Sequence, residues 1–407
     1  MVKLLSRSGE LTSTIHISRE QARRFLATYH FRPTDIAGVI DRLRTVQYDP
    51  LNPVGRNPDL VFQARVPGYQ VDDWQKAAYS DRLVYDAWDK MACLVPVSDW
   101  PKRALIRERY RPYHDDEILE KDTEVAASIL AAIDAQGPLS SLEFEDRVRI
   151  APAGSWSGLT RTKRAIRAMW VSGLLVTHHR QAGRHYYDRP ERVIPPEHFR
   201  AAPLLDVEAY HRWIVEQRHY SAGLLHEVAD PSIRGSYGSS ADGNRARLQL
   251  VESGVLTPVL VGEKKWPYYM PTRLLELLDA PLPEPRVIFL GPLDSLLWDR
   301  KAVRQIFDFD YVWEVYKPEN VRKWGYYVLP VFYGDRFIAR VDSRLEKGIW
   351  TISRWWWEPD VQLDAYLLDA LRVAIERFLR YLRADGVSMG EDVDRVVKEA
   401  ILSGPMA

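Results

Sequence analysis

The chain has 407 residues, 46% of them hydrophobic, and its 56 Lys and Arg balance 56 Asp and Glu. This length predicts two to four domains with enough apolar content for several cores. The single cysteine, Cys93, excludes a disulfide framework within the chain and offers no zinc cluster. Because we find neither a signal-peptide apolar core nor an apolar stretch of about 18 residues, we expect a cytoplasmic protein that does not span a membrane.

The first predicted unit, residues 1–120, opens with two amphipathic helices. A capping box at Ser18 and Gln21 starts the first helix. Its apolar stripe is Ala22, Phe25, Leu26 and Tyr29, and that of the second is Ile36, Val39, Ile40 and Leu43. Several prolines then predict a long irregular connection. We expect residues 71–110 to be mostly helical, with breaks at two further prolines.

Between the second helix and Pro50, residues 45–49 alternate between polar and apolar side chains. In an extended segment successive side chains point to opposite faces, so Gln47 and Asp49 are predicted to share one face and Val46 and Tyr48 the other. An amide and a carboxylate at this spacing can hold one water or one charged centre between them. The plainer alternative is a polar pair at a strand edge beside a proline turn.

The second predicted unit, residues 121–202, follows the element order of a winged helix. Apolar spacing predicts a helix that ends at Gly137, and Ser140 or Ser141 starts a short one. Thr160 caps a third helix that stops at Gly173. Its stripe is Ile166, Met169 and Trp170, and the wing strands are Leu174–Thr177 and His185–Tyr187 around Gly183.

Positive charge is concentrated in this second unit although the net charge is zero. From Arg147 to Arg192 there are ten Lys or Arg against two acids. The basic residues at the recognition helix and the wing are Arg161, Lys163, Arg164, Arg167 and Arg184. Such a segment favours a polyanion partner, while an ordinary solvated face is the alternative.

The third predicted unit, residues 203–282, repeats this order about eighty residues later. Ser253-Gly254-Val255-Leu256 echoes Ser172-Gly173-Leu174-Leu175, which is internal evidence for tandem winged helices. After a proline linker, residues 283–407 are predicted to be β-rich. The strands are expected at Tyr311–Tyr316, Tyr326–Phe332, Arg336–Val341 and Ile349–Trp356, followed by a final helix from Val361 to Arg383. The predicted fold class is therefore α+β, with three tandem winged-helix domains and a β-rich C-terminal domain.

These features together resemble one family, the winged-helix DNA glycosylases of the AlkZ/YcaQ type, whose signature is Gln-x-Gln or Gln-x-Asp. Gln47-Tyr48-Asp49 matches the Gln-x-Asp branch, and ordered matches continue along nearly the full length. They include Leu51-Asn52, Ala92-Cys93-Leu94-Val95-Pro96, Lys163-Arg164-Ala165, Trp298-Asp299-Arg300, Gly325-Tyr326-Tyr327-Val328-Leu329-Pro330 and Arg340-Val341-Asp342.

The resemblance implies an enzyme that removes alkylated purines, chiefly N7-alkylguanine, from double-stranded DNA, and we expect a monomer that uses no metal and no cofactor. Asp49 would stabilise the positive charge that develops on the sugar, and Gln47 would position water or contact the nucleotide. Arg56 and Arg65 would contact phosphates, although Arg65 is equally placed to pair with Asp59. Pro58 and Lys90 stand where the family has histidines, which leaves crosslink unhooking open.

The rival interpretation is a non-enzymatic winged-helix DNA-binding protein or transcriptional regulator, since most such folds only bind. Two other motifs are better explained without a ligand. Adjacent strand residues His178 and His179 should diverge, which argues against a metal site. Trp355-Trp356-Trp357 is better explained by a strand that packs on both faces than by base stacking.

Overall fold

The computed structural model describes residues 4–5, 11–12, 14–114, 122–144, 160–226 and 238–402. Contacts between Cα atoms group the chain into two units, Met1–Trp74 with Ile214–Ala407 and Gln75–Trp213. The mixture of helices and mostly antiparallel sheets confirms the α+β class. The division into four domains is not decided by this grouping and stays a prediction. Within the described ranges, no helix is long and apolar enough to cross a membrane.

The described residues form α-helices and β-strands in alternating runs along the chain. The helices are α1 (Arg19–Phe31), α2 (Ile36–Leu43), α3 (Asn57–Gln63), α4 (Ala104–Arg109), α5 (Arg111–His114), α6 (Thr123–Gln136), α7 (Arg161–Val171), α8 (Pro190–Val193), α9 (Pro196–Phe199), α10 (Val207–Ala222), α11 (Ser240–Glu252), α12 (Arg300–Phe307), α13 (Ala365–Leu382) and α14 (Arg395–Leu402). The strands are β1 (Leu4–Leu5), β2 (Leu11–Thr12), β3 (Ile15–Ile17), β4 (Val46–Gln47), β5 (Val84–Trp88), β6 (Ala92–Pro96), β7 (Val176–Gln181), β8 (Arg184–Asp188), β9 (Leu225–His226), β10 (Leu256–Val261), β11 (Tyr268–Pro271), β12 (Val287–Phe289), β13 (Val328–Tyr333), β14 (Arg336–Glu346), β15 (Ile349–Trp357) and β16 (Gly386–Met389).

The first two helices form as predicted. The Ser18 hydroxyl accepts from the Gln21 backbone N–H at 3.0 Å, and the Gln21 side chain accepts from the Ser18 backbone N–H, which completes the capping box. Asp35 caps α2 by accepting from the Gly38 N–H at 2.7 Å. Phe25 of α1 and Val39 of α2 are fully buried. Capping and periodicity therefore fix this part of the fold locally.

The N-terminal segment belongs to the same unit as the C-terminal half because it completes a sheet there. Strand β3 pairs in parallel with β10, in a four-stranded sheet of order β3-β10-β11-β9. Leu26 of α1 shares a core with Val259 of β10, Met270 of β11 and Phe332 of β13. Sequence patterns did not indicate this long-range pairing.

The C-terminal residues form a five-stranded sheet of order β12-β13-β14-β15-β16, in which β16 runs parallel to β15 and the other pairs are antiparallel. This confirms the β-rich C-terminal region. The predicted strand at Tyr311–Tyr316 is wrong: Tyr311 is buried, but no ladder forms there. The helix expected from Val361 to Arg383 begins later, at Ala365 where Asp364 caps it, and β16 and α14 follow it.

In the unit Gln75–Trp213, helices α6 and α7 and the β7–β8 hairpin follow one another in the predicted order. Helix α7 is capped by Thr160, whose hydroxyl accepts from the Lys163 N–H at 3.3 Å. Strands β7 and β8 pair antiparallel, and Ile166 and Met169 are buried against α6. No helix forms over residues 140–144, and residues 145–159, where the rest of the short helix was expected, lie outside the described ranges.

The expectation of mostly helical structure over residues 71–110 is wrong. Strands β5 and β6 form an antiparallel hairpin, with Val84 opposite Pro96 and Trp88 opposite Ala92. Cys93 and Val95 share a core with Trp100, and Leu94 between them is buried as well. Because β6 is buried on both faces, its apolar run shows no alternation of period two that would distinguish a strand from a helix.

The two repeated motifs end their helices in the same way. The Leu174 N–H donates to Met169 O at 2.8 Å, and the Val255 N–H donates to Leu250 O at 2.8 Å. The intervening glycines, Gly173 and Gly254, have φ of 78° and 72°. These bonds form a Schellman motif, which requires a left-handed residue and turns each helix directly into a strand.

A fully buried ion pair in the unit of Met1–Trp74 and Ile214–Ala407 joins the segment after α3 to the turn before α12. Arg65 donates to the Asp294 carboxylate through Nη1 at 2.7 Å and Nη2 at 2.9 Å, and both side chains are 0% exposed. Burial raises the pKa of Asp294, but the charge of Arg65 outweighs it and the net pKa is lowered. His30 Nε2 donates to Ala222 O at 3.1 Å, so its Nδ1 faces Arg65 as an acceptor. Burial and Arg65 lower the pKa of His30 to about 3, which keeps the ring neutral.

We expect Asp294→Ala to destabilise the protein strongly, because it leaves the Arg65 guanidinium buried without a counter-charge. Breaking one side of such a pair costs about 3–5 kcal/mol. Urea unfolding followed by tryptophan fluorescence measures this loss. Arg304→Ala, which breaks an exposed pair with Asp310, is the matched control and should change little. A loss for Asp294→Ala no larger than that of the control would contradict the structural role of the pair.

Candidate active site

The Gln-x-Asp segment is held in place by main-chain contacts rather than by a long strand. Regular β-structure covers only Val46–Gln47, because Pro50 and Pro53 interrupt any ladder beyond it. Asn57 Nδ2 donates to Gln47 O at 2.7 Å, and both residues are buried. Asp49 therefore lies beyond the strand, and the alternation of side chains along β4 does not set the orientation of its carboxylate.

Asp49 is oriented by its own turn. Its Oδ1 accepts from the Leu51 N–H at 2.9 Å, which is the geometry of an Asx turn. The residue is half-buried, and burial raises the pKa of the carboxyl while the Leu51 N–H opposes the shift. Asp49 is thus a partly desolvated carboxylate with a fixed backbone, which suits electrostatic stabilisation of a nearby cation.

A buried network supports the segment from the side of α3. The Asp59 carboxylate accepts from the Tyr69 hydroxyl at 2.9 Å, the Asp72 N–H at 2.7 Å and the Arg56 N–H at 3.1 Å. Burial raises the pKa of Asp59 to about 6, against the effect of these donors. Tyr48 packs edge-on against Trp74 with ring centroids 6.1 Å apart. These contacts pack α3 and Tyr48 against residues 69–74.

The two arginines expected beside the site have different environments. Arg56 Nη1 donates to Asp72 at 3.2 Å, and 16% of its side chain is exposed. Arg65 is fully buried and paired with Asp294, so the expectation that it contacts phosphates is corrected. The alternative pairing of Arg65 with Asp59 is wrong as well, because Asp59 is bonded to Arg56, Tyr69 and Asp72. Arg65 is therefore structural.

Half of the basic residues on α7 are used inside the fold. Arg161 donates to Asp122 at 2.7 Å, and Arg164 pairs with the other oxygen of the same carboxylate. Although burial raises the pKa of Asp122, its bonds to Arg164 and Arg161 outweigh that effect and lower it. Lys163 and Arg167 lie exposed one helical turn apart and, within the described part of the chain, have no acidic partner.

The basic residues of the wing and of the segment after it also fall into a group held in ion pairs and a group without an acidic partner. Arg180 pairs with the buried Asp86, and Arg189 and Arg192 pair with Asp134 at 2.7 and 3.2 Å. Arg184, at the start of β8, is exposed and has no ion-pair partner in the ranges described. Lys163, Arg167 and Arg184 are therefore the cations of this segment that are available to a polyanion, whereas Arg161 and Arg164 are largely neutralised.

The adjacent histidines do not diverge as expected. A register shift between Thr177 and His179 bulges β7 and brings the two Nδ1 atoms within 2.9 Å. Burial lowers the pKa of both rings, so both are neutral at pH 7. Among the described residues, no group of three or more His, Cys, Asp or Glu is placed to hold a metal ion. The tryptophan run lies on β15 with Trp355 buried, in agreement with the packing role.

Sequence reasoning missed two residues that shape the site. Asn57 anchors the Gln47 backbone, and the only sequence signal for it is a polar residue before Pro58 at a helix start. Tyr327 lines a cleft together with Asn52 and Pro53, which follow Asp49 in the chain, and the Asp49 charge adds to the effect of burial in raising the Tyr327 pKa. No local pattern predicts this proximity, because it depends on the docking of the C-terminal sheet.

Comparison with known proteins gives the class of protein that this fold and site define. The sequence model of the family described as DNA glycosylase AlkZ-like matches residues 40–381, a range that includes Gln47 and Asp49. The DNA glycosylase AlkZ of Streptomyces sahachiroi superposes with a TM-score of 0.61 at 13% identity, covering 93% of this chain and 100% of that one. At that identity the structural likeness shows the fold alone.

The match over most of the chain places the protein among the DNA repair glycosylases. The chain belongs to the AlkZ-like DNA glycosylase family, and the resemblance seen in the sequence is confirmed.

We expect the affinity for duplex DNA to depend on Lys163 and Arg167. Each phosphate contact contributes about −0.9 to the slope of log affinity against log salt concentration, so Lys163→Ala with Arg167→Ala should flatten the slope by about 1.8. Fluorescence anisotropy over a salt series measures it. The control is Arg189→Ala with Arg192→Ala, which removes the same charge from residues already paired with Asp134. Equal flattening in both double variants would contradict the assignment.

Proposed function

We propose that the protein hydrolyses the N-glycosidic bond of N-alkylated purines in double-stranded DNA, chiefly N7-alkylguanine, with Asp49 and Gln47 as its catalytic residues. The observation that carries this proposal is the half-buried Asp49 carboxylate on a backbone fixed by Asn57 and by its own turn. No metal or organic cofactor takes part in the proposed reaction.

The chemistry requires little beyond a placed negative charge and a placed water. An N7-alkylated guanine is cationic and is a good leaving group, so no strong general acid is needed. As its bond to C1′ breaks, the sugar acquires oxocarbenium character. The Asp49 carboxylate stabilises that charge and accepts a proton from the attacking water, while the Gln47 amide orients the water or the nucleotide.

DNA binding in this proposal uses exposed cations outside the reacting segment. The order α6, α7 and the β7–β8 hairpin supports a winged helix in which Lys163 and Arg167 lie on the recognition helix and Arg184 on the wing. The Schellman motif shared by residues 172–175 and 253–256 supports a tandem arrangement. We propose that a monomer binds the duplex through these cations, with Arg56 as a further contact. The same cleavage at an N7-linked crosslink would unhook it.

The test is excision of a single N7-methylguanine from a duplex oligonucleotide, detected as alkali-labile abasic sites. Asp49→Asn keeps the shape but removes the charge, and loss of a comparable electrostatic group lowers rates by about 10²–10³. We therefore expect single-turnover excision to fall by that order while affinity for DNA stays nearly constant. Gln47→Ala should reduce excision less if Gln47 only positions water.

One control variant and two possible results distinguish a glycosylase from a protein that only binds DNA. Asp41→Asn changes an exposed carboxylate on α2 (76% exposed) and should leave the rate unchanged. The rival DNA-binding regulator predicts no base release by the wild type. Excision that is equal in wild type and Asp49→Asn would place the chemistry elsewhere.

A further inference from the structure

A cleft of about 400 Å³ lies directly beyond the Gln-x-Asp segment. Ligand pockets in proteins are commonly about 300–1,000 Å³, so this cleft is large enough for a single planar ring system. Its lining combines the segment after Asp49 with the C-terminal sheet: Asn52, Pro53, Tyr326, Tyr327, Asp342, Ser343, Arg344, Leu345, Glu346 and Ser353.

Backbone contacts build this cleft. The Leu345 N–H donates to Pro53 O at 2.6 Å and fixes the segment after Asp49 against β14. The register shift between Asp342 and Ser343 of β14 leaves Ser353 of β15 as an extra residue, so β15 bulges at the cleft. Bulges of this kind re-aim side chains and are frequent beside active sites. The Tyr327 N–H also donates to the Asp342 carboxylate, which joins the tyrosine to the bulge.

Of the two carboxylates that line the cleft, Asp342 has no ion pair among the described residues and accepts from the Tyr327 N–H. Arg344 Nε pairs with Glu346 at 3.0 Å, so these two lining residues neutralise each other. Asp342 is half-buried, and burial raises its pKa despite the nearby Arg354, Arg344 and Arg322. Tyr326 presents an aromatic side chain that is 41% exposed, and the Arg322 guanidinium lies over one face of its ring, 5.0 Å from the centroid. An anionic group and an aromatic surface in one cleft suit a planar cationic ring.

The Tyr327 hydroxyl distinguishes this cleft from the surrounding core. The residue is 1% exposed, and its hydroxyl has no hydrogen-bond partner in the part of the chain that the structure describes. Buried tyrosine hydroxyls usually have a partner, and the neighbouring ones do: Tyr311 donates to Val328 O at 2.6 Å and Tyr381 to Val54 O at 2.9 Å. Tyr327 thus brings an unused donor to the lining of a cleft that also includes Asn52 and Pro53.

We propose that this cleft receives the cationic purine that is to be released and that the Tyr327 hydroxyl donates a hydrogen bond to that base. The inference rests on the proposed glycosylase function and assigns it a base-binding pocket, since glycosylases commonly take the target nucleotide out of the stack. Asp342 and Tyr326 form the walls of the pocket, and Tyr327 contributes its donor.

Tyr327→Phe tests the proposal, because it removes only the hydroxyl. The full-length wild type and variant are compared for single-turnover excision of N7-methylguanine. Both are also compared in an Asp49→Asn background for the ratio of affinities for modified and unmodified duplex. We expect excision and this ratio each to fall by about tenfold or more, the effect of losing a hydrogen bond to a charged partner. Thermal stability should be unchanged or higher, because the hydroxyl is unsatisfied in the folded protein.

Tyr311→Phe is the matched control, since it removes a buried hydroxyl that is bonded to Val328 O. It should lower stability without changing the affinity ratio. Normal excision and an unchanged ratio for Tyr327→Phe would overturn the pocket assignment while the glycosylase function stands. A loss of stability in Tyr327→Phe equal to that of Tyr311→Phe would also overturn it, by showing a structural bond. A wild type that releases no base overturns the proposed function and the pocket together.

Discussion

The buried pair of Arg65 and Asp294 is the constraint on which the placement of the candidate site depends. Arg65 lies two residues after the end of α3, the helix whose first residue anchors Gln47, and Asp294 lies in the turn that leads toward α12. Two other contacts reinforce the same junction: Gln63 Nε2 donates to Phe289 O at 2.6 Å and Arg286 Nη2 donates to Ala64 O at 2.7 Å. Helix α3 therefore connects the Gln-x-Asp segment, bonded to its first residue, with the C-terminal region, bonded to the residues at its end. A fully buried ion pair adds little net stability compared with apolar packing, but it specifies one register of docking.

The same sheet also borders the cleft beyond Asp49, which gives the C-terminal region a direct relation to the site. Tyr327 immediately precedes β13, and Asp342 lies in β14; both line the cleft. The sequence predicts only that residues 283–407 are β-rich and assigns them no catalytic or binding role. In the structure this region lines a cleft together with Asn52 and Pro53, which follow Asp49 in the chain.

Local features of the fold were predictable from the sequence, and long-range ones were not. The capping box at Ser18, the Thr160 cap and the glycines at 173 and 254 act within a few residues, so their patterns identify helix ends correctly. The β5–β6 hairpin was missed because its apolar residues also fit a helical reading, and Tyr311 is buried without belonging to a strand. Arg65 was misassigned because its partner, Asp294, is distant in sequence. The basic count over residues 147–192 likewise overstated the available charge, since Asp122, Asp134 and Asp86 neutralise several of its arginines.

If ionised Asp49 acts on the glycosidic bond, the rate of single-turnover excision must depend on pH through this carboxyl. Burial raises the Asp49 pKa, so the ionised fraction falls as pH drops through a value above the ordinary carboxyl range of about 4. We therefore expect an acid limb in the excision rate with its midpoint above that range, after subtraction of spontaneous depurination, and no such limb in the residual activity of Asp49→Asn. An acid limb of the same midpoint in both proteins would contradict it.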